Sequence, residues 1–174
     1  MCIRDRPTPV DPTVSVDLIE PERLETEFFR AERWGFSLRP PMGWSATVLE
    51  NAVQLKGEAS EGDFSPSLSI LVFEVGALSP VEYTDLLKAE QESRLKAYHL
   101  IEEHPRSFGG QEGVELIASG RYNGRDAIVR QGLIVRDGKV WLLSGVTSDR
   151  EPEGAFGLLE ESLATLQFDA ESGN

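Results

Sequence analysis

The stretch Gly35-Phe36-Ser37-Leu38-Arg39-Pro40-Pro41-Met42-Gly43-Trp44 decides how this chain is read. Phe36, Leu38 and Pro40 alternate with Ser37 and Arg39, the period of a half-buried strand. The two prolines end it, because neither has an N–H to give a sheet neighbour. Gly43 permits a sharp bend, and the bend aims Trp44 back under the sheet end as a structural plug. Downstream, Ala46–Leu49 and Ala52–Leu55 flank Glu50-Asn51, which reads as a two-residue hairpin. Residues 57–66 are a polar loop, and Leu68–Val75 is almost wholly apolar, as a central strand covered on both faces would be. Upstream, helix and strand compete over 22–32. The reading favours a short helical turn followed by a strand at 27–31.

Beyond this core, Ser79-Pro80-Val81-Glu82 combines a cap, a first-turn proline and a capping-box glutamate. The spacing predicts a helix to about residue 98, with Tyr83, Leu86, Leu87 and Tyr98 facing the sheet and Leu95 at the margin. Asp85, Glu92 and Lys96 fall on the opposite face. Glu90 and Arg94 interrupt the apolar face four residues apart, where they can pair. Strands follow near 99–106, 111–122, 126–136 and 139–147. Asn123-Gly124 and Asp137-Gly138 are tight-turn dipeptides and join the last three into a meander. Phe156, Leu159, Leu163 and Leu166 trace one face of a closing helix. The pattern predicts an α+β fold: a mostly antiparallel sheet of about six to eight strands with two main helices packed on it.

Four segments are expected. Met1-Cys2-Ile3-Arg4-Asp5-Arg6 resembles the translation of a transposon-end sequencing adapter, and such scars are set aside before fold reasoning. On that reading the native start lies upstream. Residues 7–22 carry Pro7, Pro9, Pro12 and Pro21 and read as a linker. Residues 23–169 form a single α+β domain, and 170–174 a disordered tail. Cys2 is the only cysteine and lies in the adapter-like stretch, so the remainder can hold no disulfide and no cysteine-ligated zinc.

The net charge is −13, or −14 without Arg4, Asp5 and Arg6. No basic stripe or run accompanies it, so phosphate backbones are repelled and nucleic acid is an improbable partner. No apolar run approaches the ~20 residues of a membrane-spanning helix.

The chain resembles the PsbP-like and DcrB-like superfamily of α-β-α sandwiches. The resemblance rests on "GFSLRPPMGW", on the long helix opening "LSPVEYTDLL", and on the meander ending "GKVWLLSGVTSD" before a helix that finishes near "LQFD". It covers roughly residues 27–168. Where an aromatic commonly precedes a single proline in that superfamily, this chain has Arg39 and two prolines. The resemblance implies a non-catalytic accessory or binding module. Many members are exported or lipid-anchored in bacterial envelopes, and some support photosynthetic or secretion assemblies. It brings no catalytic constellation with it.

The residues themselves carry little chemistry. His99 and His104 miss the spacing of helical metal motifs, and five apart on a strand they point to opposite faces. Ser144, in Leu143-Ser144-Gly145, lies in a strand with no nucleophile elbow. Gly109-Gly110 and Gly113 lack the Lys-Ser/Thr of a phosphate loop and read as a turn. Glu102-Glu103 and Glu160-Glu161 read as solvated carboxylates. Trp141 reads as core. Trp34 and Phe64, beside loops, are the candidate binding residues; no catalytic or metal-ligating residue and no cofactor is expected. The expected function is a non-enzymatic binding or accessory domain, favoured for a bacterial envelope protein, with a protein or small ligand as partner. The alternatives are a cytoplasmic adaptor or chaperone of a secretion system, and an unrecognised hydrolase.

Overall fold

The computed structural model describes residues 22–59, 64–148, 150–151 and 153–170. The adapter-like stretch, the proline-rich segment up to residue 21 and the last four residues lie outside them. The elements run β1 (Phe29–Ala31), β2 (Phe36–Leu38), β3 (Ser45–Val48), β4 (Ala52–Lys56), β5 (Ser67–Glu74), α1 (Pro80–Arg94), β6 (Lys96–Phe108), β7 (Gln111–Tyr122), β8 (Arg125–Arg136), β9 (Lys139–Thr147), α2 (Ala155–Ala164) and β10 (Gln167–Phe168). Seven strands form one antiparallel sheet in the order β3-β4-β5-β9-β8-β7-β6, and β1-β2-β10 form a small second sheet. The α+β sandwich expected from the sequence is the observed architecture.

The meander has four strands, one more than the turn dipeptides alone predicted. Gly109-Gly110 joins β6 to β7 with φ of 55° and 80°, as Asn123-Gly124 (51°, 81°) and Asp137-Gly138 (50°, 70°) join the next pairs. Two successive positive φ angles make the tight turn whose twist matches paired strands, which is why glycine recurs in each. These turns fix the register and therefore which residues share a face.

One face of the large sheet carries Leu68, Ile70, Val72, Ile134, Trp141 and Leu143, packed against α2 through Leu159, Leu163 and Leu166. The small sheet joins this core through Phe36 and Leu38. Trp141 stands edge-on to Phe36 (5.7 Å) and to Phe168 (5.0 Å). The opening motif does its work here. Beyond β2, the Arg39 N–H donates to Thr165 Oγ1 (2.8 Å) and its carbonyl accepts from Ser162 Oγ (2.7 Å), tying the chain to the end of α2. Trp44 is partly buried against the same core, less deeply than a full plug, and its indole lies over Gly57, where an added Cβ would be 2.7 Å from the ring.

The opposite face receives α1. Ser79 caps it as predicted: the Ser79 side chain accepts from the Glu82 N–H, and the Glu82 carboxylate accepts from the Ser79 N–H. Those bonds, the backbone one foremost, hold the Glu82 carboxyl below its ordinary pKa. Glu90 and Arg94 pair at 2.7 Å. No helical turn forms before β1. Leu24 instead bridges Pro41, with the Glu25 N–H donating to the Pro40 carbonyl (2.8 Å), so the paired extended segment outcompetes local helix propensity.

Three further expectations are corrected. The helix stops at Arg94, short of residue 98, because Leu95 turns extended and buries its side chain over Gly120 of β7, where the missing Cβ leaves room. β5 alternates: Leu68, Ile70 and Val72 are buried on the α2 side, while Ser67, Ser69 and Leu71 are half-buried on the α1 side. Leu86, expected to face the sheet, is 55% exposed, whereas Leu87 is 8% exposed and packs with Leu116, Leu133 and Leu142. Leu87→Ala should cost about 2–5 kcal/mol in chemical denaturation. Leu86→Ala should cost under ~0.5 kcal/mol, and equal losses would refute this placement of the helix.

Candidate functional site

Two polar systems lie on opposite faces of the large sheet. The first is charged and lies beneath α2. Glu115 of β7 is 1% exposed. It is contacted by Arg106 of β6 (2.9 Å), Arg130 of β8 (3.0 Å) and His104 of β6 (3.1 Å). Glu160 of α2 reaches down to Arg106 (2.6 Å) and Arg130 (2.5 Å). Arg130 also lies 4.4 Å from the centre of the Phe156 ring. Two guanidiniums against two carboxylates leave the cluster balanced, and each charge has an opposite partner, as burial requires. The Arg130 contacts are ion pairs with bent geometry rather than well-aligned hydrogen bonds.

Burial alone would raise the Glu160 carboxyl; the hydrogen bond from Arg106 and the charge of Arg130 outweigh it and hold its pKa below 4.5. Arg106 is likewise pulled down by burial and carried up by Glu160 and Glu115. The cluster is a staple between α2 and the sheet, with Glu115 and Arg130 buried and Glu160 at its half-exposed rim. A lowered folded-state pKa makes Glu160 stabilising above the ordinary glutamate value, and this contribution is lost as pH falls through the folded-state value. The stability gap between the wild type and Glu160→Gln should therefore be present at pH 7 and close below about pH 4 in urea titrations. A gap independent of pH would show that Glu160 acts through packing alone.

The acidic pairs keep the solvent exposure expected of them, and each carboxylate also has a cationic partner. Glu160 belongs to the staple, Glu161 meets Arg23 (2.7 Å), Glu102 meets Arg150 (2.5 Å) and Glu103 meets Lys88 (3.1 Å). The histidines are corrected. A register shift between Leu100 and Glu102 absorbs one residue, so His99 lies opposite Ser119 and His104 opposite Glu115. Ser119 and Glu115 are four apart on one strand, so both histidines fall on one face, ~14 Å apart along it and too far to share an ion. Among the described residues no group of three His, Cys, Asp or Glu side chains could hold a metal.

The second system is neutral and lies on the α1 face, and it forms the candidate site. Gln54 of β4 pairs with Ser69 of β5, Ser69 with Ser144 of β9, and Ser144 with Gln131 of β8. These four residues form a row straight across four strands. α1 adds Gln91. Tyr98 Oη donates to Gln91 Oε1 (3.2 Å), Gln91 Nε2 to Gln131 Oε1 (2.8 Å), and Gln131 Nε2 to Ser144 Oγ (3.4 Å). Burial, then the Glu92 charge, pushes the Tyr98 pKa up, which keeps the phenol protonated as a donor. Ser144 keeps its own proton free to donate. Gln54 and Ser69 make no side-chain hydrogen bond among the described residues.

On one side of this row lies an apolar row, Leu71, Leu142 and Leu133; on the other lie Lys56, Ser67, Val146 and Val129. Together they floor a groove of about 1190 Å³ walled by α1. That volume slightly exceeds the ~300–1,000 Å³ of ordinary ligand clefts. Small side chains create it: serines stand on this face where Leu68, Ile70 and Leu143 fill the other.

Phe64 lines the groove, so one of the two candidate binding residues falls in the site. Trp34 packs against the core on the α2 face with Arg33 5.4 Å from its ring centre, so the structure does not bring the two together. Gln54, Ser69, Gln91 and Gln131 escaped the sequence reading, and Ser144 entered it only as a nucleophile without an elbow. Their signal was present: Ser65, Ser67 and Ser69 alternate into β5, and Ser144 is a lone polar residue in the apolar run of β9.

No protein-family model matches the chain. No curated protein matches it either. Solved structures are similar to it. LpqN of Mycobacterium tuberculosis, involved in cell envelope biogenesis, has 15% identity and a TM-score of 0.63, covering 92% of this chain and all of its own. CyanoP, the cyanobacterial PsbP of Synechocystis sp. PCC 6803, has 12% identity and a TM-score of 0.60, over 91% and 99%. PA94 of Pseudomonas aeruginosa, a protein of unknown function, has 20% identity and a TM-score of 0.51, over 75% and 87%. With its seven-stranded antiparallel sheet between α1 and the layer of α2 and the small sheet, the chain has the PsbP-like fold.

Proposed function

We propose that this domain is a non-catalytic binding module that takes a small elongated amphiphile into the groove beside α1, in an accessory role at a bacterial envelope. The observation that carries the reading is the in-register row Gln54–Ser69–Ser144–Gln131, set between apolar side chains on an open floor. A few placed polar groups on a mainly apolar concave surface are what orient a ligand in a binding cleft. The uncommitted donors and acceptors of Gln54, Ser69 and Ser144 serve that purpose. A binding role without chemistry is supported by the surroundings of Ser144: its cross-strand neighbours are the Ser69 hydroxyl and the Gln131 amide, neither of which is a base able to activate it. The envelope setting draws on LpqN, whose fold is similar and which is involved in cell envelope biogenesis. No helix among the described residues is long and apolar enough to cross a membrane.

The neutral fluorophore N-phenyl-1-naphthylamine should bind with a saturable rise in emission. Ser69→Phe, which fills the floor, should abolish most of that rise while leaving the far-ultraviolet spectrum unchanged. Equal binding by the Ser69→Phe variant would place the site elsewhere. Saturable ester or phosphate hydrolysis, removed by Ser144→Ala without unfolding, would refute the non-catalytic reading.

A further inference from the structure

The groove is graded along the strand direction. Phe73, Leu71, Tyr83 and Leu86 lie toward the start of α1 and make one end apolar. The neutral polar row crosses its middle. At the other end β4 finishes in Lys56, and β8 begins at Arg125 beside the Asn123-Gly124 turn; both side chains line the groove and both are exposed. From Ser67, opposite Lys56, to Phe73 is six residue steps, ~20 Å of strand.

Two cations thus lie at one mouth of a groove in a chain with 30 acidic and 17 basic residues. Arg94, also at this end, is neutralised by Glu90 at 2.7 Å. Lys56 and Arg125 have no carboxylate partner among the described residues. An apolar end, a neutral middle and two uncommitted cations at the mouth match a single-chain molecule that is apolar at one end and anionic at the other.

We infer that the groove selects an anionic single-chain amphiphile, its hydrocarbon lying toward Phe73 and Leu71 and its headgroup at Lys56 and Arg125. This rests on the groove being the binding site. The hydrocarbon supplies affinity through area removed from water. The cations supply the choice of headgroup and the orientation by attracting the anionic end of the molecule to their mouth. A carboxylate, sulfate or phosphate monoester headgroup carries the charge that these exposed cations attract.

The test is displacement of N-phenyl-1-naphthylamine from the whole chain at low salt, below micellar concentrations. Four dodecyl compounds serve: dodecanoate, dodecyl phosphate, neutral dodecyl maltoside and cationic dodecyltrimethylammonium. Dodecanoate should displace the fluorophore at about fivefold lower concentration than the neutral compound, and the advantage should shrink as salt rises. In the double variant Lys56→Gln with Arg125→Gln, displacement by each compound, read relative to that variant's own fluorophore affinity, should show no preference for dodecanoate over dodecyl maltoside. Dodecyl phosphate and dodecanoate with equal advantage would indicate charge recognition common to both headgroups, as inferred. If the neutral or cationic compound displaces as well as dodecanoate, or the double variant keeps the preference, the headgroup assignment is overturned while the groove stands. If the fluorophore never binds, the groove reading fails, and the inference with it.

Discussion

Everything on this molecule's two faces depends on strand register. The residues of a strand alternate, so each of β4, β5, β9, β8, β7 and β6 presents one set of side chains to α2 and the other to α1. A slip of one residue in β8 would send Arg130 to the α1 side and Gln131 into the apolar core. The register is held by three turns with paired positive φ angles, at Gly109-Gly110, Asn123-Gly124 and Asp137-Gly138. Each leaves no slack between its strands. The same constraint aligns Gln54, Ser69, Ser144 and Gln131 across four strands that come from distant parts of the sequence. The groove is therefore a property of pairing rather than of any one segment.

Register also separates two polar systems that could not share a face. Glu115 and Arg130 are deeply buried, and a charge there is tolerable only with its counterion in contact. α2 brings Glu160 to them as a further partner at the half-exposed rim, so the charged system ties the helix to the sheet. The neutral system tolerates exposure. Amides and hydroxyls lose less on desolvation than charges, so Gln54 and Ser69 can face an open groove and still be covered by a ligand. The closed face holds the layers together, and the open face keeps its hydrogen-bonding capacity unspent.

The helices, the strands and the meander were legible because their signals are local. Ser79 and Glu82 announce a cap within four residues, and Asn123-Gly124 announces a turn within two. The residues of the site were not, because their meaning lies in cross-strand neighbours 13 to 75 residues away: Ser69 reads as a small strand residue until Ser144 is placed beside it. The end of α1 was misjudged for the same reason. Tyr98 continues a helical spacing, but Leu95 finds a better site over Gly120, and tertiary packing overrides the local period. The histidines were placed on opposite faces by a parity argument that holds only for an unbroken strand, and the irregularity at Leu100–Glu102 reverses it. Of the two aromatic candidates, Phe64 reached the groove because its loop follows β4, and Trp34 reached the core because the β1–β2 turn folds it inward.

The groove persists because the two faces are packed by different means. On the α2 side, Leu68, Ile70, Val72 and Leu143 fill the space with branched side chains, and the small sheet adds a second covering. On the α1 side a single helix lies over β7, β8 and β9, and the floor over β4 and β5 carries Ser67 and Ser69 instead of leucines. Filling those positions with apolar side chains would bury more surface and add stability, at ~25 cal/mol per Å² covered. The sequence forgoes that gain on one face only, and it does so where two serines and two glutamines line up in reach of a cavity. A core that is close-packed on one side of a sheet and open on the other cannot be explained by poor hydrophobic composition, since both faces draw on the same strands. The open side is arranged around hydrogen-bonding groups that the fold itself does not consume, and such groups make physical sense when something else completes them.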